Sequence, residues 1–142
     1  MKVSARNVFK GTVSKLQEGA VNAEVSLTLP GGNVLVAVVT LASVKSLGIA
    51  VGKDAVALVK APWVMLMTES SDIRLSARNC LQGKVSSVND GAVNAEVVLT
   101  LDGGTQVYAI VTRDAVSELG LAPGVSATAV IKASHVILGV PA

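Results

Sequence analysis

Charge and aromatic rings are scarce in this chain. Of its 142 residues, 15% are charged and 2% are aromatic, against about 25% charged in an average soluble protein. One Trp, one Tyr and one Phe are too few for a groove that stacks nucleic-acid bases. The formal net charge of +2 implies neither a nucleic-acid nor a membrane partner. A single cysteine, Cys80, excludes an internal disulfide and a cysteine-built metal site. A single histidine, His135, excludes a multi-histidine metal site within one chain. No apolar run approaches the roughly 18 residues of a spanning helix; the longest, such as Val34–Val39, are strand-sized. Met1 to Asn7 holds no apolar signal-peptide core, so a cytoplasmic location is expected.

What the chain has in quantity is small aliphatic residues. The hydrophobic share is 51%, which excludes intrinsic disorder. Small domains bury a smaller share of their surface than large ones. Two small units cannot hide this much Val, Leu, Ala and Ile, so a homo-oligomer is expected.

The sequence is a tandem repeat. Ser4-Ala5-Arg6-Asn7 returns as Ser76-Ala77-Arg78-Asn79. Gly19 to Val25 returns as Gly91 to Val97, and Lys60-Ala61 as Lys132-Ala133. The offset is about 72 residues without a gap, and about half of the aligned positions are identical. The expected domains are residues 1–67 and 75–142, joined by a polar linker over 68–74.

Each unit reads as β-rich. Val21, Ala23, Val25, Leu27 and Leu29 alternate with polar residues, the period of a strand with one buried face. Val93 to Leu101 repeats the pattern. Pro30-Gly31-Gly32-Asn33 and Asp102-Gly103-Gly104-Thr105 are turns. Thr40 to Gly48 predicts a short helix, with Thr40 as N-cap, Val44 and Leu47 inward, and Gly48 as the C-terminal cap. The fold class expected is all-β: two tandem OB-like five-stranded β-barrels, each with a short helix.

Catalytic constellations are missing. His135 aligns with Trp63, which points to a packed position rather than a catalytic base. Cys80 aligns with Val8 and reads as a small buried hydrophobe. Glu24 and Glu96 recur on the polar face of a strand with no second carboxylate at a fixed spacing, which makes them solvated or interface residues. No phosphate-loop or dinucleotide fingerprint occurs. No catalytic residue is assigned, and the chain is not expected to be an enzyme.

Anion-binding parts recur instead. Ser4 and Arg6 return as Ser76 and Arg78, and arginine is a permanently charged fork of N–H donors. Lys60, repeated as Lys132, is the only charge between Ala55 and Met67. A lysine in such a run needs an anionic partner or must snorkel to water. The third part is the helix start at Thr40 with Ser43 in the first turn, repeated at Thr112. These parts are mostly hydrogen-bond donors. Such a set suits an oxyanion that carries no proton near neutral pH, such as molybdate, tungstate or sulfate.

Ser-Ala-Arg-Asn, then Gly-Ala-Val-Asn-Ala-Glu-Val and Val-Lys-Ala-Pro-Trp-Val, resembles the molybdate-binding Mop domain. Gly11 and Thr40 fall in the family's order as well. Over essentially all 142 residues the tandem pair resembles the di-domain molbindins. The resemblance implies an OB-like barrel per repeat and a trimer of di-domain chains. It implies molybdate or tungstate as bound ligand at subunit interfaces, no catalytic cofactor, no direct side-chain metal ligand, and a role in storage or homeostasis.

Carried across residue by residue, the first site comprises Ser4, Ala5, Arg6, Asn7, Thr40, Ser43, Lys60 and Ala61. Its copy comprises Ser76, Ala77, Arg78, Asn79, Thr112, Ala115, Lys132, Ala133 and Ser134. Ala115 loses the hydroxyl of Ser43, and Ser134, which replaces Pro62, is expected to restore one near Lys132. A second type of site is placed at Gly19-Ala20-Val21-Asn22 and at Gly91-Ala92-Val93-Asn94, where backbone amides would form a nest. Two other readings compete: a sensor or delivery module acting through a protein partner, and an OB-type nucleic-acid-binding protein. The sequence leaves open whether strands swap between repeats.

Overall fold

A computed structural model describes residues 1–69 and 72–142; Ser70 and Ser71 of the expected linker lie outside the described residues. The first repeat runs β1 (Asn7–Glu18), β2 (Asn22–Thr28), β3 (Val34–Thr40), α1 (Leu41–Leu47), β4 (Asp54–Val59) and β5 (Met65–Met67). The second runs β6 (Asn79–Asp90), β7 (Asn94–Leu101), β8 (Gln106–Thr112), α2 (Arg113–Leu119), β9 (Ser126–Ile131) and β10 (Ile137–Gly139). One-turn 3-10 segments at Ala61–Trp63 and Ala133–His135 precede β5 and β10. All strand pairs are antiparallel. The all-β expectation of two OB-like five-stranded units, each with a short helix, holds.

The outer strands trade places. One sheet has the order β10-β4-β1-β2-β3 and the other β5-β9-β6-β7-β8. Ile137 lies opposite Leu58, and Met65 opposite Val130. Each five-stranded sheet therefore takes four strands from one repeat and its fifth from the other. The N-terminal strands β1 and β6 stay at home. It is the last three-residue strand of each repeat that crosses over, carried there by the 3-10 turn before it.

Local chemistry explains the elements. Ala23, Val25, Leu27 and Leu29 are buried, as the alternation requires. Val21 is 71% exposed, because it sits in the turn before β2. A bulge at Ser14 in β1, and another at Ser86 in β6, shifts the register against β2 and β7. An extra residue on one strand bends it and sharpens its twist, which lets each sheet curl around its own apolar face.

Thr40 caps α1 by accepting from the Ser43 amide at 3.1 Å. Gly48 ends it with φ 63, a left-handed conformation that favours glycine. The Ile49 amide then reaches back to the Val44 carbonyl at 3.0 Å. That closure tucks Ile49, 4% exposed, onto the core beside Val44. Leu47, expected to face inward, is instead 40% exposed. Val44 is the buried residue of this seven-residue helix, and Ile49 after the cap joins it in the core. Cys80, expected to be buried, is exposed. Its neighbour Asn79 faces inward at 1% exposure, so strand alternation turns Cys80 to the outside.

Candidate functional site

The repeated Ser-Ala-Arg-Asn motif lies where the two halves meet. The buried Asn7 side chain accepts from the Tyr108 amide and donates to the Tyr108 carbonyl, both at 2.8 Å. Asn79 holds Val36 of the first repeat in the same way, also at 2.8 Å twice. In effect each Asn adds an amide rung to a strand of the opposite repeat.

Arg6 makes a two-pronged pair with Glu96, Nε to Oε2 at 3.0 Å and Nη2 to Oε1 at 2.9 Å. Its guanidinium carbon lies 4.4 Å from the Tyr108 ring centroid. Arg78 pairs with Glu24 through Nε to Oε2 at 3.2 Å and Nη2 to Oε1 at 2.6 Å. The carboxylates placed on polar strand faces are therefore interface residues. The hydrogen bonds from Arg6 hold the Glu96 carboxyl below its ordinary value; partial burial opposes this and the charge of Arg6 adds to it. Both arginines are pushed up, chiefly by the hydrogen bonds to their carboxylates.

The Lys-Ala segments also cross the interface. Lys60 and Lys132 precede the 3-10 turns and are exposed, whereas Ala61 and Ala133 are buried. The Lys60 ammonium lies 5.5 Å from the Trp63 ring centroid. Trp63 and His135 meet ring to ring across the two halves, at 5.3 Å and 39°. His135 thus sits in the packed position that its alignment with Trp63 suggests.

A cleft of about 370 Å³ opens where the turn at Ala133–His135 packs on β3. Asn22, Thr40 and Ser43 of the first repeat and Ser134 of the second line it. Val39, Leu47, Val136 and Ile137 complete much of its apolar wall. Asn22 and Thr40 are direct cross-strand partners, which is why a β2 residue joins the cap of α1. Thr40 Oγ1 and Ser43 Oγ lie 2.8 Å apart. No carboxylate is among the residues lining this cleft.

The structure thus joins some expected site residues and separates others. Thr40 and Ser43 share a cleft with Ser134 of the other repeat. Arg6 and Arg78 are engaged by carboxylates, while Ser4 and Ser76 are exposed near the chain start and the linker. Ala5 and Ala77 are half-buried beside them. Thr112 repeats the cap, accepting from the Ala115 amide at 3.1 Å.

All eight residues of the turns at 19–22 and 91–94 are exposed, with Val21 and Val93 at 71% and 73%. Within each turn one amide is already used, Gly19 to the Asn22 carbonyl and Gly91 to the Asn94 carbonyl, both at 2.8 Å. Sequence reasoning missed the role of Asn7 and Asn79 as clamps on the other repeat. Their recurrence beside Arg was a signal, but the partner was a backbone far along the chain.

No group of three His, Cys, Asp or Glu side chains among the described residues could hold a metal ion. No helix among them is long and apolar enough to cross a membrane.

Known proteins match this chain along its whole length. The TOBE domain model matches residues 3–66 and again 75–138. The molybdenum transport protein ModE of Azotobacter vinelandii is 49% identical over 140 residues, covering 99% of this chain and 52% of that protein. The molybdenum-pterin-binding protein MopA of Rhodobacter capsulatus is 46% identical over 141 residues, covering 99% of this chain and 53% of that protein. The chain spans about half the length of these curated relatives. A solved structure of the cytoplasmic molybdate-binding protein ModG, with molybdate bound, superposes with a TM-score of 0.95 at 67% identity. That match covers 99% of this chain and 100% of ModG. With two domain matches that follow its internal repeat, the chain belongs to the TOBE domain family.

Proposed function

We propose that this chain binds molybdate or tungstate without covalent chemistry and serves as an intracellular, cytoplasmic oxyanion store. The observation that carries this reading is the inter-repeat cleft, where Asn22, Thr40, Ser43 and Ser134 converge without a lining carboxylate. A dianion with four acceptor oxygens finds donors there and no repelling charge. Lys60 and Lys132 supply positive charge near such sites, and Arg6 and Arg78 hold the walls together through Glu96 and Glu24. The match to molybdate-bearing ModG supports the same ligand class.

The proposed assembly is a homotrimer. Val21, Val51, Met65, Val93 and Ile137 are each more than half exposed and lie on a chain poor in charge. Apolar residues left out in this number favour burial between copies. In the trimer the turns 19–22 and 91–94 would supply a second class of site through amides not used within the turn. An anion held between subunits stabilises the assembly by mass action. No bond is made or broken, and release follows from dilution or from a partner that takes the anion.

Equilibrium dialysis with elemental analysis tests this directly, with sulfate and phosphate as competitors. Saturable molybdate uptake that excess sulfate does not displace is the expected result. Absence of uptake, or equal uptake of sulfate, removes the reading.

A further inference from the structure

We infer that the outer face of the second sheet holds a soft-metal site, with the Cys80 thiolate and the Met65 and Met67 thioethers as ligands for one Cu(I) ion per chain. The site is independent of the oxyanion reading and shares no residue with the cleft described above.

The chain has one cysteine and three methionines. All but Met1 come together on one face. Val130 of β9 has Met65 of β5 opposite it on one side and Cys80 of β6 on the other. Directly opposed residues project to the same face of a sheet. One row further, Thr128 has Met67 on one side and Gln82 on the other. This face is the outer one, since Leu66 and Ala129, between these positions, belong to the core. Cys80 is exposed and Met65 is 55% exposed, while Val130 between them is buried. Two interstrand steps, about 9.6 Å, separate Met65 from Cys80, and Met67 stands about 7 Å along β5 from Met65. Sulfurs on one ion lie no more than about 4.6 Å apart, at bonds of about 2.3 Å. Methionine is unbranched and has three rotatable bonds with which to close that gap over a short valine.

The first sheet is the internal comparison. Its matching row is Val8, Leu58 and Ile137, and its next row is Lys10, Val56 and Gly139. It has no sulfur there, and Lys10 stands where the second sheet has Gln82. A lysine charge repels a cation and an amide does not. Beside Met67 and Gln82 opens a cleft of about 290 Å³ that Glu69, Asp102 and Lys84 also line, so two carboxylates face one ammonium.

One cysteine alone makes no metal site, and the His, Cys, Asp and Glu side chains among the described residues form no metal-binding group. Two thioethers beside the thiol change the chemistry. Thiolate and thioether ligands select Cu(I), whereas zinc takes thiolate, imidazole and carboxylate. The Cys80 thiol donates to the Ala77 carbonyl at 3.7 Å. On binding it releases its proton to solvent as the copper–sulfur bond forms, and copper remains Cu(I).

The test is anaerobic competition for Cu(I) between the full chain, in its own oligomeric state, and the chelator bicinchoninate. Wild type is expected to withdraw one Cu(I) per chain, with zinc failing to compete. Cys80→Ser should abolish uptake. Met65→Leu and Met67→Leu nearly conserve volume and should each weaken binding by about ten-fold or more, at least what a supporting group around a metal is worth. Thermal unfolding confirms that the variants are folded. Met65 is also among the apolar residues assigned to contacts between copies; if those contacts cover the sulfurs, wild type takes up no copper and the inference is overturned. Uptake that is lost in Cys80→Ser but unchanged in both leucine variants overturns it as well, because that is the behaviour of an exposed thiol without a site.

Discussion

Asn7 and Asn79 do the same work in opposite directions. Each grips one backbone residue of the other repeat with a pair of 2.8 Å hydrogen bonds. Arg6 with Glu96 and Arg78 with Glu24 repeat the symmetry. The positions a few residues away do not. Ser43 and Ser134 line one cleft, while the positions aligned with them hold Ala115 and Pro62. The contrast separates what the duplication needs from what it leaves free. Contacts that hold the halves together must stay matched, because a lapse on either side opens the same interface. The positions around the cleft carry no such requirement and differ between the copies.

The largest expected effect is at the clamp. Asn79→Ala removes both partners from the Val36 amide and carbonyl, in a buried place. Leaving buried polar groups unpaired costs about 1–3 kcal/mol each, so a loss of about 2–6 kcal/mol is expected in denaturant unfolding. Asn7→Ala should cost less, because Tyr108 is only half-buried and water can replace the lost partner. Equal losses would mean that the two clamps are buried alike when the halves breathe.

Next comes the place where the two hairpin turns touch. A Cβ on Gly31 would collide with the Gly103 backbone, and φ there is +95°. Gly32 has nearly the same φ, +97°, but open space around it. Gly32→Ala carries the conformational strain alone, about 1 kcal/mol or somewhat more. Gly31→Ala carries that strain and also pushes the repeats apart. The difference between the two variants therefore reports the contact between halves. If they unfold at the same denaturant concentration, the hairpin contact contributes nothing.

The helix caps give a smaller effect. Thr40→Ala and Thr112→Ala each lose a bond to the first-turn amide, worth about 1 kcal/mol. Thr40 also engages Ser43 Oγ, so its loss should exceed that of Thr112 by a few tenths of a kcal/mol. Thermal unfolding of the pair reads this directly. A larger loss at Thr112 would contradict the hydroxyl arrangement in the first cleft.

Much of this was legible in the residues. The duplication, the alternation of β2 and β7, and the cap pair Thr40 and Gly48 follow from local chemistry. What stayed hidden depends on which segment meets which. β5 and β10 are three residues each, too short to carry a period, and nothing local says whose sheet they complete. Nothing local says that Arg6 will pair with Glu96, 90 residues away, through Nε and Nη2. Nothing local says that Ser134 lines a cleft with Thr40 and Ser43 of the other repeat. Leu47 is exposed and Ile49 buried because the backbone turns back after Gly48, with the Ile49 amide on the Val44 carbonyl.

The smallest expected effect sharpens the comparison at the ion pairs. Glu96 is held below its ordinary value mainly by hydrogen bonds from Arg6. A carboxylate lowered in the folded state adds stability above its unfolded value, near pH 4.3, and loses it as pH falls through the folded value. The Glu96 contribution is therefore full at pH 7 and fades in the acid range below about pH 4. Arg6 is half-exposed and water screens the pair, so the effect should stay well below that of the Asn clamp. Glu96→Gln keeps the shape and removes the titration. Unfolding curves of wild type and Glu96→Gln should differ at pH 7 and converge toward pH 3. A gap that stays constant across that range would show that the Arg6 fork is held by shape alone, and that charge adds nothing to the symmetry of the two halves.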